Sequence, residues 1–403
     1  MFLTRLLTIA CIFLGILRLT AAEVPRLIAS QEALKAVVPE DVRLETLGGG
    51  YSLLIPEAFT PPVIATDPIY KQTTSRAIYL YEKEPIKHGM ARRVVVHFEP
   101  DDRESAIRSA RLVARFLRLH RERFKRETVF RRSAKDVHVW FVPSLSDRSI
   151  QGGETRDNNV YIFAASAIKT PIELARTVAH EWGHETLPAA RGFASPENDA
   201  SGYLGERLYL YFLFFDTLWS SPKNPDDGTT AETLRFYYDR QVKPLMARYE
   251  EGGPHSKLLD ADSTEAMDYY IGAVIDMAET IGPHLVGEAL YSIDDTSPRD
   301  FLDALKTEVA RKIPEGVFVS MRAWLPFGNG QYVMTPVSGG GGISLTGPQS
   351  LSATADGPKS GLLKPRSGEK RDGTFRVTKP GWYRMTPNGS LSEFTIKLIG
   401  GAK

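Results

Sequence analysis

The sequence predicts an α+β protein: a mixed sheet with a backing helix and a site-bearing helix, then a helical subdomain, then a small all-β domain. Three observations predict it. Strand-like apolar runs and one long amphipathic helix alternate between residues 91 and 167. Helical stretches with recognisable N-terminal signals follow as far as about Arg311. The glycine run "VSGGGG" (Val337 to Gly342) then separates a tail in which apolar and polar residues again alternate.

Taken from the start, Arg5, an apolar run from Leu6 to Leu17, and Ala21-Ala22 before Glu23 form a secretory signal over residues 1–22, cut after Ala22. The apolar run falls short of the roughly 20 residues a membrane span needs. An uncleaved signal anchor is the alternative, and the expected location is secreted or periplasmic. Cleavage removes Cys11, the single cysteine, so a metal in the mature chain must be held by His, Asp or Glu. With 50 Lys+Arg against 49 Asp+Glu, the whole-chain charge gives no case for a nucleic-acid partner.

Residues 23–90 contain "YSLLIP" (Tyr51 to Pro56) and "RAIYLYEKEP" (Arg76 to Pro85) among Pro- and Gly-rich turns, an N-terminal β-rich segment or propeptide. The main domain is expected over 91–330. "RRVVVHFEP" is a strand, "DDRESAIRSARLVARFLRLHRERFKRE" a helix, and "DVHVWFVPS" and "NNVYIFAASA" further strands. On that helix Leu112, Val113, Phe116, Leu117 and Leu119 make an apolar stripe, so its arginines are expected on the solvated face.

The next helix opens with "TPIE", where Thr170 is the N-cap and Glu173 completes a capping box, and stops before Pro188. At about 100° per residue, Leu174, Ala175, Val178, Ala179 and Trp182 share one side. His180 and His184 share the other, flanked by Glu181. Helices are further expected at about Pro196–Trp219, Ser263–Ile281 and Pro298–Arg311. Residues 343–403 should form a sandwich-like β domain, with "GWYRMT" and "LSEFTIKLI" joined as a hairpin through Asn388-Gly389. Contact with a cell surface or matrix is the role expected of it.

"HEWGH" (His180 to His184) sets two imidazoles at i and i+4, which can share one Zn²⁺, and puts a glutamate where it can take a proton from attacking water. Catalytic zinc takes three protein ligands. Glu197, Asp199 and Glu206 are the candidates for the third. The HExxHxxGxxH/D arrangement is excluded, because Leu187 and Ala190 stand where Gly and His/Asp would be needed. Glu206 is favoured: it opens the run Leu208 to Phe215, apolar all round and therefore buried, where an unpaired carboxylate is costly. A metal would neutralise it, and an ion pair with Arg207 is the other means.

"HEWGH" followed by "LGERLYLYF" resembles the gluzincin metallopeptidases, above all the branch of aminopeptidase-N-like and glycyl-aminopeptidase-like enzymes. The stretch "MDYYIGAVIDMAETIGPHLVGEALYSIDDTSPRDFLDAL" (Met267 to Leu305) extends the likeness, which covers roughly 91–326. The resemblance implies a zincin fold, in which the strand "NNVYIFAAS" borders the cleft and could pair with an extended peptide, one zinc per chain on His180, His184 and Glu206, and Glu181 as general base. Through Tyr-x-x-Gly ending at Gly272, it implies Tyr269 as stabiliser of the reaction's oxyanion, packing being the alternative role of that ring; His255 and His284 are candidates for a second donor, with a surface position the more expected for each. Arg207 replaces that branch's Gly, Ile271 its Lys, and no "GxMEN"-type strand is found. The expected activity is zinc-dependent hydrolysis of a peptide or protein substrate; the competing class is a non-catalytic zinc-binding surface or binding protein on the same scaffold.

Overall fold

In the computed structural model, residues 26–38, 41–57, 63–83, 89–126, 136–143, 152–219, 226–254, 256–280, 282–293 and 297–312 are described, with seven strands beyond residue 331. Residues 1–22, expected as a signal, and most of the glycine run lie outside them. The chain divides into two units, one built on the main sheet and one on helices.

The sheet unit takes its strands from both sides of residue 90. These are β1 (Leu27–Ile28), β2 (Val42–Thr46), β3 (Tyr51–Pro56), β4 (Ala65–Thr66), β5 (Thr73–Thr74), β6 (Arg76–Lys83), β7 (Met90–Phe98), β8 (Val137–Val142), β9 (Gly152–Arg156) and β10 (Asn159–Phe163). Helix α1 is Gln31–Val37, α2 is Arg103–Phe124, whose residues from Leu119 on belong to the helical unit, and α3 is Pro171–Thr186. The sheet runs β2-β3-β6-β7-β8-β10-β9, β1 adds to β7, and β4 pairs with β5. The boundary expected at residue 90 therefore falls between β6 and β7, two strands paired along their length.

The run from β2 to β7 is antiparallel. The links β7–β8 and β8–β10 are parallel, the first crossing over through α2. Strand β9 was not expected, since "GGETR" offers no large apolar residue. It is the edge, folded back on β10 through Asp157 and Asn158, both at positive φ (49° and 62°), the left-handed pair that a two-residue hairpin turn requires. Thus β9, not β10, borders the open side.

The α2 stripe is buried as expected. Its arginines depart from the solvated face: Arg115 donates to Asp227 (2.5 Å) and Asp216 (3.1 Å), and Arg118 to Asp216 (2.7 Å). Charge alone does not tell a solvated arginine from one whose partners lie about a hundred residues away in sequence. Helix α3 has its capping box in place, Thr170 N donating to Glu173 Oε2 (3.1 Å) and Glu173 N to Thr170 Oγ1 (3.3 Å).

The helical unit contains most of α4 (Ser201–Trp219), then α5 (Ala231–Tyr237), a π-helical turn (Tyr238–Val242), α6 (Lys243–Gly252), α7 (Thr264–Thr280), α8 (Pro283–Ser292) and α9 (Pro298–Lys312). Helix α4 starts five residues after the expected Pro196, because Asp199 Oδ1 accepts from Ser201 N (2.9 Å) and sets the cap there. The expected pattern omitted α5, α6 and α8.

Helix α7 lies against α6 at Gly272, where an added Cβ would overlap the Leu245 carbonyl and sit 2.6 Å from its carbon. Gly272→Ala, ordinarily stabilising in a helix, should here destabilise by about 1–3 kcal/mol. Urea unfolding measures it; an unchanged midpoint would refute the close approach. Elsewhere in this unit His120, fully buried, joins Tyr209 (2.8 Å) through Nδ1 and Tyr291 (2.8 Å) through Nε2. Tyr209 also meets Thr186 Oγ1 (2.5 Å).

Strands β11 (Tyr332–Met334), β12 (Gly342–Thr346), β13 (Leu351–Asp356), β14 (Leu362–Leu363), β15 (Asp372–Arg376), β16 (Trp382–Pro387) and β17 (Thr395–Ile399) make two sheets, β11-β16-β13-β14 and β15-β12-β17. The expected hairpin of β16 with β17 is not formed, since each pairs in a different sheet. Alternation marks strands without naming their partners. Asn388-Gly389 lies outside the described residues.

Candidate metal site

Helix α3 presents the motif as its periodicity requires. Leu174, Ala175, Val178, Ala179 and Trp182 are all 3% exposed or less, while His180 and His184 are half-buried on the other side. The two imidazoles are neighbours, with ring centroids 5.2 Å apart and planes at 76°. One donor atom from each, together with a carboxylate oxygen of Glu197, lie within 4.8 Å of one another. Zinc with N/O bonds of about 2.0–2.2 Å sets its tetrahedral ligand atoms roughly 3.4 Å apart, so small side-chain adjustments bring these three onto one ion. Two neutral imidazoles and one carboxylate are an established donor set for catalytic zinc. The residues fit the group.

Glu206, the expected third ligand, is placed otherwise. Its Oε2 accepts from Arg207 Nη1 (2.6 Å) and its Oε1 from the Tyr237 hydroxyl (2.8 Å). The burial foreseen is real, at 4% exposure. The neutralising partner is a guanidinium and a phenol, the second delivered by the unexpected helix α5. Asp199 caps α4 and pairs its backbone with Arg191.

Tyr269 is also engaged. The residue is 1% exposed, its hydroxyl donates to the Gly253 carbonyl (2.6 Å) just past α6, and Gly252 leaves room for the ring only by lacking a Cβ. The structure thus gives Tyr269 a packing role. Burial raises the hydroxyl of its neighbour Tyr270 above its ordinary value, so that group stays protonated. His284 Nδ1 meets the Phe124 carbonyl (3.2 Å), and His255 lies outside the described residues. Thr177 donates to the Glu173 carbonyl (3.2 Å), closing the helix on itself.

Glu181 is 3% exposed and is met by the edge strand. The Thr155 hydroxyl lies 2.8 Å from Glu181 Oε2 and 3.1 Å from its backbone carbonyl. Two residues earlier, a Cβ on Gly153 would fall 2.6 Å from Oε1. Glu154, between them, accepts from the Tyr70 hydroxyl. No sequence signal marked this strand apart from its glycines.

Among described residues, no helix is long and apolar enough to cross a membrane. No family model matches the chain, and no curated protein matches it. Among solved structures, Legionella pneumophila aminopeptidase A in complex with aspartic acid is similar at 12% identity and a TM-score of 0.34, over 84% of this chain and 47% of that one. The chain thus spans about half the length of that protein, and a TM-score of this size does not establish a shared fold.

Proposed function

We propose that the chain is an exported zinc metallopeptidase in which His180, His184 and Glu197 hold the ion and Glu181 moves the proton. The observation that carries this reading is the convergence of those three donors beside a buried glutamate on the same helix as two of them. When bound, zinc would supply Lewis acidity toward water and a peptide carbonyl.

Glu181 takes a proton from the water that attacks the carbonyl carbon and returns it to the departing amine. Trp182, fully buried behind it, fixes the rotation of α3 and so the direction in which Glu181 and the histidines point. The strand pairing expected of β10 passes to β9, the sheet's edge, whose backbone can take an extended substrate as a further strand. A structural zinc would be closed by four protein ligands; three donors cluster among the described residues, which favours a site with an open position.

The test is metal analysis of the purified chain together with hydrolysis of a diverse peptide library before and after chelation. Stoichiometric zinc, with cleavage lost on chelation and restored by zinc, supports the reading. Absence of bound zinc sinks the metal site, and zinc without cleavage favours the binding-protein class.

A further inference from the structure

We propose that the edge strand β9 is part of the proton-handling apparatus: Thr155 positions the Glu181 carboxylate, and Gly153 permits the approach that lets it do so. This rests on the metallopeptidase reading for its catalytic consequence but on geometry for its substance.

Residues 153 and 155 are two apart on a strand, so they face the same side of the sheet. Their register fixes them, Gly153 opposite Ile162 and Thr155 opposite Val160 of β10. Both meet Glu181, Thr155 through the hydroxyl on Oε2 and on the backbone carbonyl, Gly153 through the space a side chain would occupy. Glu154 between them points to the opposite face, where Tyr70 holds it. The strand therefore carries an alternation matched to one glutamate rather than to an apolar core, which accounts for a run without large apolar residues inside a sheet that otherwise has them.

A glutamate on a helix turns about three side-chain torsions, and losing that freedom has an entropic cost. A hydroxyl that touches Oε2 and the backbone carbonyl of the same residue ties the tip of the side chain to its root. The carboxylate is then oriented before substrate arrives, and orientation of this kind is worth orders of magnitude in rate. Thr155 is a positioning residue, acting through Glu181.

The experiment compares the zinc-loaded full-length chain with its Thr155→Val and Thr155→Ser variants. Hydrolysis of an internally quenched peptide that the parent cleaves is one readout; crystal structures of parent and Thr155→Val are the second. Removing the hydroxyl while keeping the shape should lower kcat about 10- to 100-fold, with KM within about twofold and zinc content unchanged, and Thr155→Ser should recover most of the loss. The Glu181 carboxylate should leave its parent position in the Thr155→Val crystal. Unchanged kcat, or an unmoved carboxylate, overturns the proposal, as does a loss that Thr155→Ser does not relieve. A parent that cleaves nothing counts against the peptidase reading alone, and the two crystal structures then decide this one. Should Thr155→Val fail to fold, Thr155→Ser and Gly153→Ala give the same crystallographic comparison, the latter expected to push Glu181 aside.

Discussion

Glu181→Gln should retain stoichiometric zinc while peptide hydrolysis falls by about 10²–10⁴-fold, the usual contribution of a positioned general base. The amide is nearly the same size as the carboxylate, so the packing of α3 survives. What is lost is the capacity to accept a proton. Thr155 can still hydrogen-bond the amide oxygen, so the side chain should keep its place. Metal analysis and kinetics on one preparation check both halves. A variant with near-parental turnover would remove Glu181 from the mechanism, whereas loss of zinc would show that its role is in the metal site itself.

A second pair of substitutions separates the two carboxylates that compete for the metal. Glu197→Ala should weaken zinc binding by about 10-fold or more, with little change in stability of the metal-free chain, because Glu197 sits in the irregular stretch before α4. Glu206→Ala should do the reverse. It leaves Arg207, 9% exposed, without the carboxylate that neutralises it, and breaking such a buried pair costs about 3–5 kcal/mol. Competition with a zinc-sensitive dye reads the first quantity and denaturant unfolding of metal-free protein reads the second. If Glu206→Ala releases zinc and Glu197→Ala does not, the third ligand proposed here is misassigned.

These two carboxylates also show what a sequence can disclose. Periodicity and caps are local properties, so the α3 face with His180 and His184, its capping box and its apolar back were all legible. Burial of Glu206 was legible too, from the apolar run behind it. Its partner was not: Tyr237 lies on α5, whose seven residues make too weak a pattern to be recognised. The partner of Tyr269 was hidden for the same reason, since the carbonyl its hydroxyl meets follows α6. The apolar run pointed to Glu206 because it stands on a helix, whereas Glu197 lies in an irregular segment whose path no periodicity predicts. Strand β9 was invisible because its side chains answer to one glutamate instead of a core. In the tail, strands were foreseen and their pairing was not, since pairing is a non-local choice.

His120, bonded at both ring nitrogens within the helical unit, carries a consequence for acid tolerance. Burial, with Arg126 and Arg121 nearby, lowers its pKa from about 6.5 to about 3, so the folded chain keeps this ring neutral where the unfolded chain would protonate it. The unfolded state then holds the extra proton between those two values. Its stabilising effect is complete above pH 6.5 and drains away as pH falls toward 3. Unfolding midpoints of the metal-free chain, taken from pH 7 to 4, should decline less steeply in His120→Gln than in the parent. The same buried imidazole that ties three segments together thereby sets a proton-driven limit on how sour a medium the helical unit survives.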